Sequence, residues 1–161
     1  MLEKIPLHSK IFVDSNIFIY HFLDISDSST NFLQRIEMRQ IDAYTSTVVL
    51  AEVLHRLMIA ELIEKYKIKS NNAIKFLKEK PEIIATLEKC EIAVKEIPEF
   101  NVRILSVTVE SIFQSYDFRK KYNLLTNDSL NLNVMYVNGL KHIATNDSDF
   151  DGVEWIKVWK P

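Results

Sequence analysis

The sequence predicts an α/β protein, a three-layer α/β/α sandwich around a central, mainly parallel sheet of about five strands. Short β-prone runs alternate with helical segments along the whole chain, the pattern of a parallel sheet covered on both faces. The 161 residues, 47 % hydrophobic and 26 % charged, have the length and composition of one globular domain with a sizeable core. No internal repeat, low-complexity tract or linker divides them, so residues 1–161 are expected to form a single domain.

Lys10–Val13 is a short β-prone run that stops at Asp14, and Ser15–Leu23 follows as a helix with Ile17, Phe18, Ile19 and Phe22 as its large apolar residues. The run Asp27-Ser28-Ser29-Thr30 is rich in capping residues and opens a second helix reaching about Gln40. Ala43–Ser46 reads as the second strand. Thr47–Tyr66 is the longest helical signal, with Leu50, Val53, Leu54, Leu57, Met58 and Leu62 forming its apolar stripe. Ser70-Asn71-Asn72 caps another helix and Pro81 starts one more. Val102–Val107 is the third strand, followed by a helix over about Val109–Tyr122. A helix over Asp128–Asn138 ends near Gly139, His142–Thr145 is the fourth strand and Glu154–Val158 the fifth. With glycine only at 139 and 152, Asn, Asp and Ser are expected to make the turns.

Composition excludes several functions. Two glycines cannot write a G-x-G-x-x-G dinucleotide loop or a P-loop. Apolar stretches are broken by charge well before the roughly 18 residues of a membrane span, and Met1–Lys10 has no apolar core for a signal peptide. Cys90 is the single cysteine, which rules out an intrachain disulfide and a cysteine-based zinc cluster. A cytoplasmic setting without membrane association is expected. The net charge of −2 and pI near 6.1 supply no global basic field, so any nucleic acid must be met by local patches.

The informative feature is the placement of acids. Asp14 follows the first strand and Asp147 the fourth, and ligands of open α/β sheets bind outside the carboxyl ends of strands. Glu52 lies in the first turns of the helix after the second strand, and Asp128 opens the helix before the fourth. A parallel sheet brings all four toward one rim. Carboxylates so gathered repel, and no Lys or Arg adjoins Asp14, Asp128 or Asp147 in sequence, so a divalent cation is the natural compensator. Hard Mg²⁺ or Mn²⁺ suits such oxygens, and polarises phosphates and activates water for phosphodiester hydrolysis. Each acid also has a structural explanation. Asp14 and Asp128 are helix caps, Glu52 has Arg56 one turn on for an ion pair worth about 0.2–0.5 kcal/mol, and Asp147, Asp149 and Asp151 are turn residues. Their joint placement is what points to a site. Glu52 moreover sits between Ala51, Val53 and Leu54, in the most apolar part of its helix.

These segments resemble a known family. Ile11-Phe12-Val13-Asp14-Ser15-Asn16-Ile17-Phe18-Ile19-Tyr20 is similar to the opening of a PIN domain, and Thr45-Ser46-Thr47-Val48-Val49-Leu50-Ala51-Glu52-Val53 resembles its second block. Asp128-Ser129-Leu130 matches the third, and Thr145-Asn146-Asp147-Ser148-Asp149-Phe150 the T-x-D-x-D-F block. The blocks stand in family order from Ile11 to Phe150, and by size the nearest subgroup is the VapC-like toxins of type II toxin–antitoxin pairs. The resemblance implies a Mg²⁺- or Mn²⁺-dependent endoribonuclease, with catalysis and metal binding carried by Asp14, Glu52, Asp128 and Asp147. Asn16 and Thr145 would orient carboxylates or water, and Asp149 would either join the cluster or shape the turn. It also implies RNA as substrate, a small antitoxin covering the site, and a homodimer. A housekeeping PIN nuclease and a catalytically silent PIN-like module for RNA or protein are the alternatives. One departure is the helix after Asp128, which reads Leu130-Asn131-Leu132-Asn133-Val134 where many family members carry small, Ala-rich residues.

Other features read as structural. Glu64–Lys80 holds six lysines against two glutamates, and Arg119-Lys120-Lys121 is a second basic cluster; both read as solvated helix faces, with RNA phosphates as the alternative ligand. His8, His21, His55 and His142 lack metal-ligand spacing. Trp155 and Trp159, at even spacing about the last strand, read as core residues on one face, with base stacking as the alternative.

Overall fold

A computed structural model describes all residues from Met1 to Pro161. Five strands form one parallel sheet: β1 (Lys10–Val13), β2 (Asp42–Ser46), β3 (Arg103–Leu105), β4 (His142–Ala144) and β5 (Lys157–Trp159), in the order β3-β2-β1-β4-β5. Phe12 stands in register with Tyr44 of β2 on one side and Ile143 of β4 on the other. The chain builds outward from β1 through β2 to β3, then crosses back to lay β4 against the free side of β1. Strand order therefore reverses between β1 and β4, and in open α/β sheets ligands bind beyond the carboxyl ends at such a reversal.

The helices are α1 (Ser15–Phe22), α2 (Asp27–Glu37), α3 (Thr47–Tyr66), α4 (Ala73–Glu79), α5 (Lys89–Glu96), α6 (Val109–Tyr122) and α7 (Thr126–Val137). With the sheet they make an α/β/α sandwich. Ile11, Phe12, Val13 and Ile143 are fully buried in the sheet's centre, and Phe18, Phe32 and Leu62 bring α1, α2 and α3 onto the same core. Each such side chain contributes about 1.5–3 kcal/mol on burial. Val53, Leu57 and Leu62 are the buried part of the α3 stripe, with Leu50, Leu54 and Met58 packed at its border. No helix is long and apolar enough to cross a membrane.

Several boundaries differ from the sequence expectation. Helix α2 stops at Glu37, and β3 and β5 are three-residue strands lying within or just past their expected ranges. Pro81 begins a 3₁₀ segment, Pro81–Thr86, and the α-helix proper starts only at Lys89. Its N-terminus is held from outside, because Glu61 of α3, nearly buried, accepts the backbone N–H groups of Glu88 and Cys90. That tertiary cap has no local sequence signal. Turn chemistry also differs: Asp24, Asn101 and Asn123 do adopt positive φ, but so do His8, Arg39 and Lys67, and no serine does. Glycine scarcity pushes this backbone cost, about 1–2 kcal/mol for most residues, onto side chains that rarely bear it.

Candidate active site

Asp14 sits at the junction of β1 and α1, 5 % exposed, and its side chain caps the helix by accepting the Ser15 N–H at 2.7 Å. Its other oxygen accepts the Thr145 hydroxyl at 2.6 Å and the Asn16 amide at 2.8 Å. Thr145 stands one residue past β4, so this network bridges β1 and β4, the two strands at the reversal. The same threonine oxygen accepts the Asp147 N–H at 3.0 Å, while Asn16 Oδ1 accepts the Asn146 N–H. The Thr145 hydroxyl on Asp14 and the Asn146 N–H on Asn16 thus tie the turn after β4 to the end of β1 and the start of α1. Burial pushes the Asp14 carboxyl up to about 6; its hydrogen bonds to Thr145 and Ser15 pull it down, and the charges of Glu52 and Asp147 raise it further.

Asp147 and Asp149 follow in the same turn, where Asp147 Oδ1 accepts the Asp149 N–H at 2.9 Å. Asp128 approaches from the first turn of α7. One carboxylate oxygen from each of Asp128, Asp147 and Asp149 lies within 4.8 Å of the other two. Asp128 is pushed up to about 7, by burial first and then by the charges of Asp14, Asp147, Asp149 and Glu52. None of the protein's five ion pairs involves any of these acids. The cluster is an uncompensated concentration of negative charge.

Residues 11–156, which include every one of these groups, match the PIN domain family. The chain belongs to the PIN-domain family. It is homologous to VapC-type toxins of toxin–antitoxin systems. Ribonuclease VapC2 of Methanocaldococcus jannaschii is 28 % identical over 150 residues, which cover 93 % of each protein. Mycobacterium tuberculosis VapC20, a sarcin-ricin loop cleaving toxin, superposes with a TM-score of 0.61 at 16 % identity, over 91 % of this chain and 96 % of that one. VapBC2 from Rickettsia felis, solved bound to a DNA fragment from its promoter, gives 0.59 at 17 % identity, over 94 % and 98 %. These two likenesses concern the fold.

Against this PIN frame, the expected site residues fall into two tiers. Asp128, Asp147 and Asp149 form the tight triad, so Asp149 stands inside the cluster as well as shaping the turn. Asp14, Asn16 and Thr145 form the hydrogen-bonded wall beside it. Glu52 lies outside the triad, yet close enough for its charge to act on both Asp14 and Asp128. Two structural explanations fail. Helix α7 begins at Thr126, so Asp128 is its third residue and not its cap, and Glu52 forms no ion pair with the exposed Arg56. Two hold in part, since Asp14 does cap α1 and Asp147 does make a turn bond.

The sequence reading missed the residues that join α3 to α7. Ser46 caps α3 through Val49 N–H and donates its hydroxyl to Asn131 Oδ1 at 2.6 Å. Asn131 and Asn133, the departures in the α7 block, are each only 1 % exposed. The signal was present as polar residues alternating with leucines on a helix that proves buried on several sides. Trp159 is buried in β5 and donates to His142 Nδ1, whereas Trp155 precedes the strand and packs against Phe118 and Tyr136, so the two do not share a strand face. The lysines from Lys65 to Lys80 are exposed, as a solvated face requires.

The donor set fits a hard divalent cation. Ligand distances near 2.1 Å place opposite oxygens about 4.2 Å apart in an octahedral shell, so oxygens within 4.8 Å of one another lie within reach of one ion, directly or through water. All-carboxylate donors without His or Cys favour Mg²⁺ or Mn²⁺ over zinc.

Proposed function

We propose that this protein, as a single PIN domain, is a Mg²⁺- or Mn²⁺-dependent endoribonuclease acting as the toxin of a toxin–antitoxin pair. The observation that carries the reading is the triad of Asp128, Asp147 and Asp149, unpaired with any cation and backed by the buried Asp14. Asp128, Asp147 and Asp149 would hold the ion, with Asp14 and Glu52 completing the negative field. When bound, the ion polarises the scissile phosphate and activates the attacking water. Thr145 and Asn16 lock the Asp14 carboxylate in one orientation, and the Asp147 N–H bond to Thr145 holds the turn that carries two of the triad acids. Without the ion, burial and the neighbouring carboxylates raise the Asp128 carboxyl to about 7, and an ion held by the triad would favour its charged form.

An antitoxin partner is supported by relatives of known structure, among them a toxin–antitoxin complex from Klebsiella pneumoniae and DNA-bound VapBC from Salmonella typhimurium. A homodimer is supported by the exposed stripe Val109, Ile112, Phe113 and Tyr116 on α6, an apolar face at helical spacing. A cytoplasmic location belongs to the same reading. Cleavage-site mapping on total RNA with purified protein, in Mn²⁺ and in EDTA, tests it. Discrete Mn²⁺-dependent cuts absent from an Asp128→Asn variant are expected, and RNA left intact in both conditions would overturn the proposal.

A further inference from the structure

A concave surface lies along α6 and α7, lined by none of the triad carboxylates. It is a groove of about 590 Å³ walled by Phe118, Tyr122, Tyr136 and Trp155. Tyr136 meets Trp155 at 5.7 Å between ring centroids and 79°, and Phe118 at 5.7 Å and 60°, so it stands edge to face with each of them. Tyr136 remains 63 % exposed, an aromatic ring braced by two others with most of its own surface in water. The wall also carries Asn133, buried to 1 % exposure, whose Oδ1 has no hydrogen-bond partner, while its amide nitrogen donates to Gln114 at 3.3 Å. The rim is polar, with Gln114, Asp117 and Lys121, and the basic run Arg119-Lys120-Lys121 occupies the last turn of α6; Lys121 is paired with Glu154 at 2.6 Å, which leaves Arg119 and Lys120 as its cations without an ion-pair partner.

We propose that this groove stacks a base of a single-stranded RNA whose backbone runs past Arg119–Lys121 toward the carboxylate site. The inference rests on the ribonuclease reading and names where its substrate is gripped away from the reacting phosphate. Aromatic faces stack any base, and neighbouring cations neutralise the backbone that carries it. Tyr136 follows Asp128 by eight residues on one helix, an axial rise of about 12 Å. That distance spans three or four nucleotides at ~3.4 Å per stacked base, and fewer in an extended strand. A protein occupant fits less well. The groove is concave and rimmed by charge and amide, and the broad apolar stripe open to a protein, Val109 to Tyr116, is a separate face of α6.

The test is equilibrium binding to the full chain in EDTA, where no cleavage occurs. The probes are an eight-residue oligoadenylate and an eight-residue abasic ribose-phosphate of equal charge. Oligoadenylate is expected to quench tryptophan fluorescence and to bind several-fold more tightly than the abasic strand. Tyr136→Ala is expected to lower oligoadenylate affinity roughly five- to a hundredfold, the range for loss of one base stack, while leaving abasic binding unchanged. Tyr136→Phe should restore affinity, and Lys120→Ala should weaken both probes alike. Equal binding of the two probes to wild type, or no effect of Tyr136→Ala, overturns the proposal. If Tyr136→Ala then cleaves RNA in Mn²⁺ with unchanged KM, the ribonuclease reading stands and only the groove assignment falls. If wild type neither binds nor cuts RNA, both fall. Loss of self-association in Tyr136→Ala, with RNA binding intact, would mark the groove as a protein interface and overturn the proposal as well.

Discussion

Thr145 donates its hydroxyl to the Asp14 carboxylate at 2.6 Å, across 131 positions of sequence. The same oxygen receives the N–H of Asp147 and the amide of Asn16, so one buried hydroxyl is fully used and sets the spacing between the two strand ends. The bond favours the charged form of Asp14 and partly offsets the cost of its burial. Thr145→Val keeps the shape and removes both the donor and the acceptor. Leaving the Asp147 N–H and Asp14 Oδ2 short of a partner should cost about 1–3 kcal/mol in urea denaturation. It should also raise the Asp14 pKa further, moving the acid limb of the pH–rate profile upward. An unchanged profile would show that Thr145 does not tune Asp14.

Without metal, stability should fall as pH rises from about 4 to about 7. Asp14 and Asp128 keep protons in the native state up to about 6 and about 7, whereas in the unfolded chain they release them near 3.8. The native state then binds more protons than the unfolded one across that window, so the slope of unfolding free energy with pH is negative. Below pH ~4 the difference vanishes, and above ~7 the full cost is present. The Asp14 change from 3.8 to about 6 corresponds to on the order of 3 kcal/mol. Chemical denaturation in EDTA at a series of pH values measures it, and a flat profile contradicts it.

Adding Mn²⁺ at neutral pH should offset part of that loss, because binding to the native state alone contributes about 2.7 kcal/mol at a hundredfold excess over Kd. Asp128→Asn should make the EDTA profile shallower, leaving the Asp14 part, lose most of the Mn²⁺ response and lose RNA cleavage while remaining folded. A variant with wild-type Mn²⁺ stabilisation and activity would remove Asp128 from the metal site.

Glu52→Gln should be neutral or stabilising in EDTA, since it withdraws one charge from a repelling group, and should abolish cleavage in Mn²⁺. Arg56→Ala should leave both properties near wild type, because no ion pair joins the two. Destabilisation of Glu52→Gln together with full activity would return Glu52 to an ordinary helix surface.

Ser46→Ala should destabilise by about 2–3 kcal/mol, combining a lost N-cap with a buried Asn131 oxygen left unpaired. For a chain of this size that lowers Tm by roughly 4–12 °C. A Ser46→Ala, Asn131→Leu double variant should recover part of the loss, and a double variant less stable than both single ones would break the proposed link between α3 and α7.

The sequence by itself determined the architecture and pointed to the candidate acids. Alternation of apolar runs with helical stripes is local, and it located all five strands and the extent of α3 and α6. Acids at strand ends are legible because a parallel sheet sends every strand's carboxyl end to one rim, so Asp14, Glu52, Asp128 and Asp147 could be named without distances. Their ranking could not. That Asp149 stands in the triad while Glu52 stands outside it depends on side-chain directions set by the β4 turn and by α3 packing. The capping of α5 by Glu61, the Ser46–Asn131 bond and the aromatic groove of Phe118, Tyr136 and Trp155 likewise join residues far apart in the chain. Composition and periodicity register a residue's neighbours in sequence, whereas hydrogen bonding and burial are settled by neighbours in space, and only the folded chain supplies those.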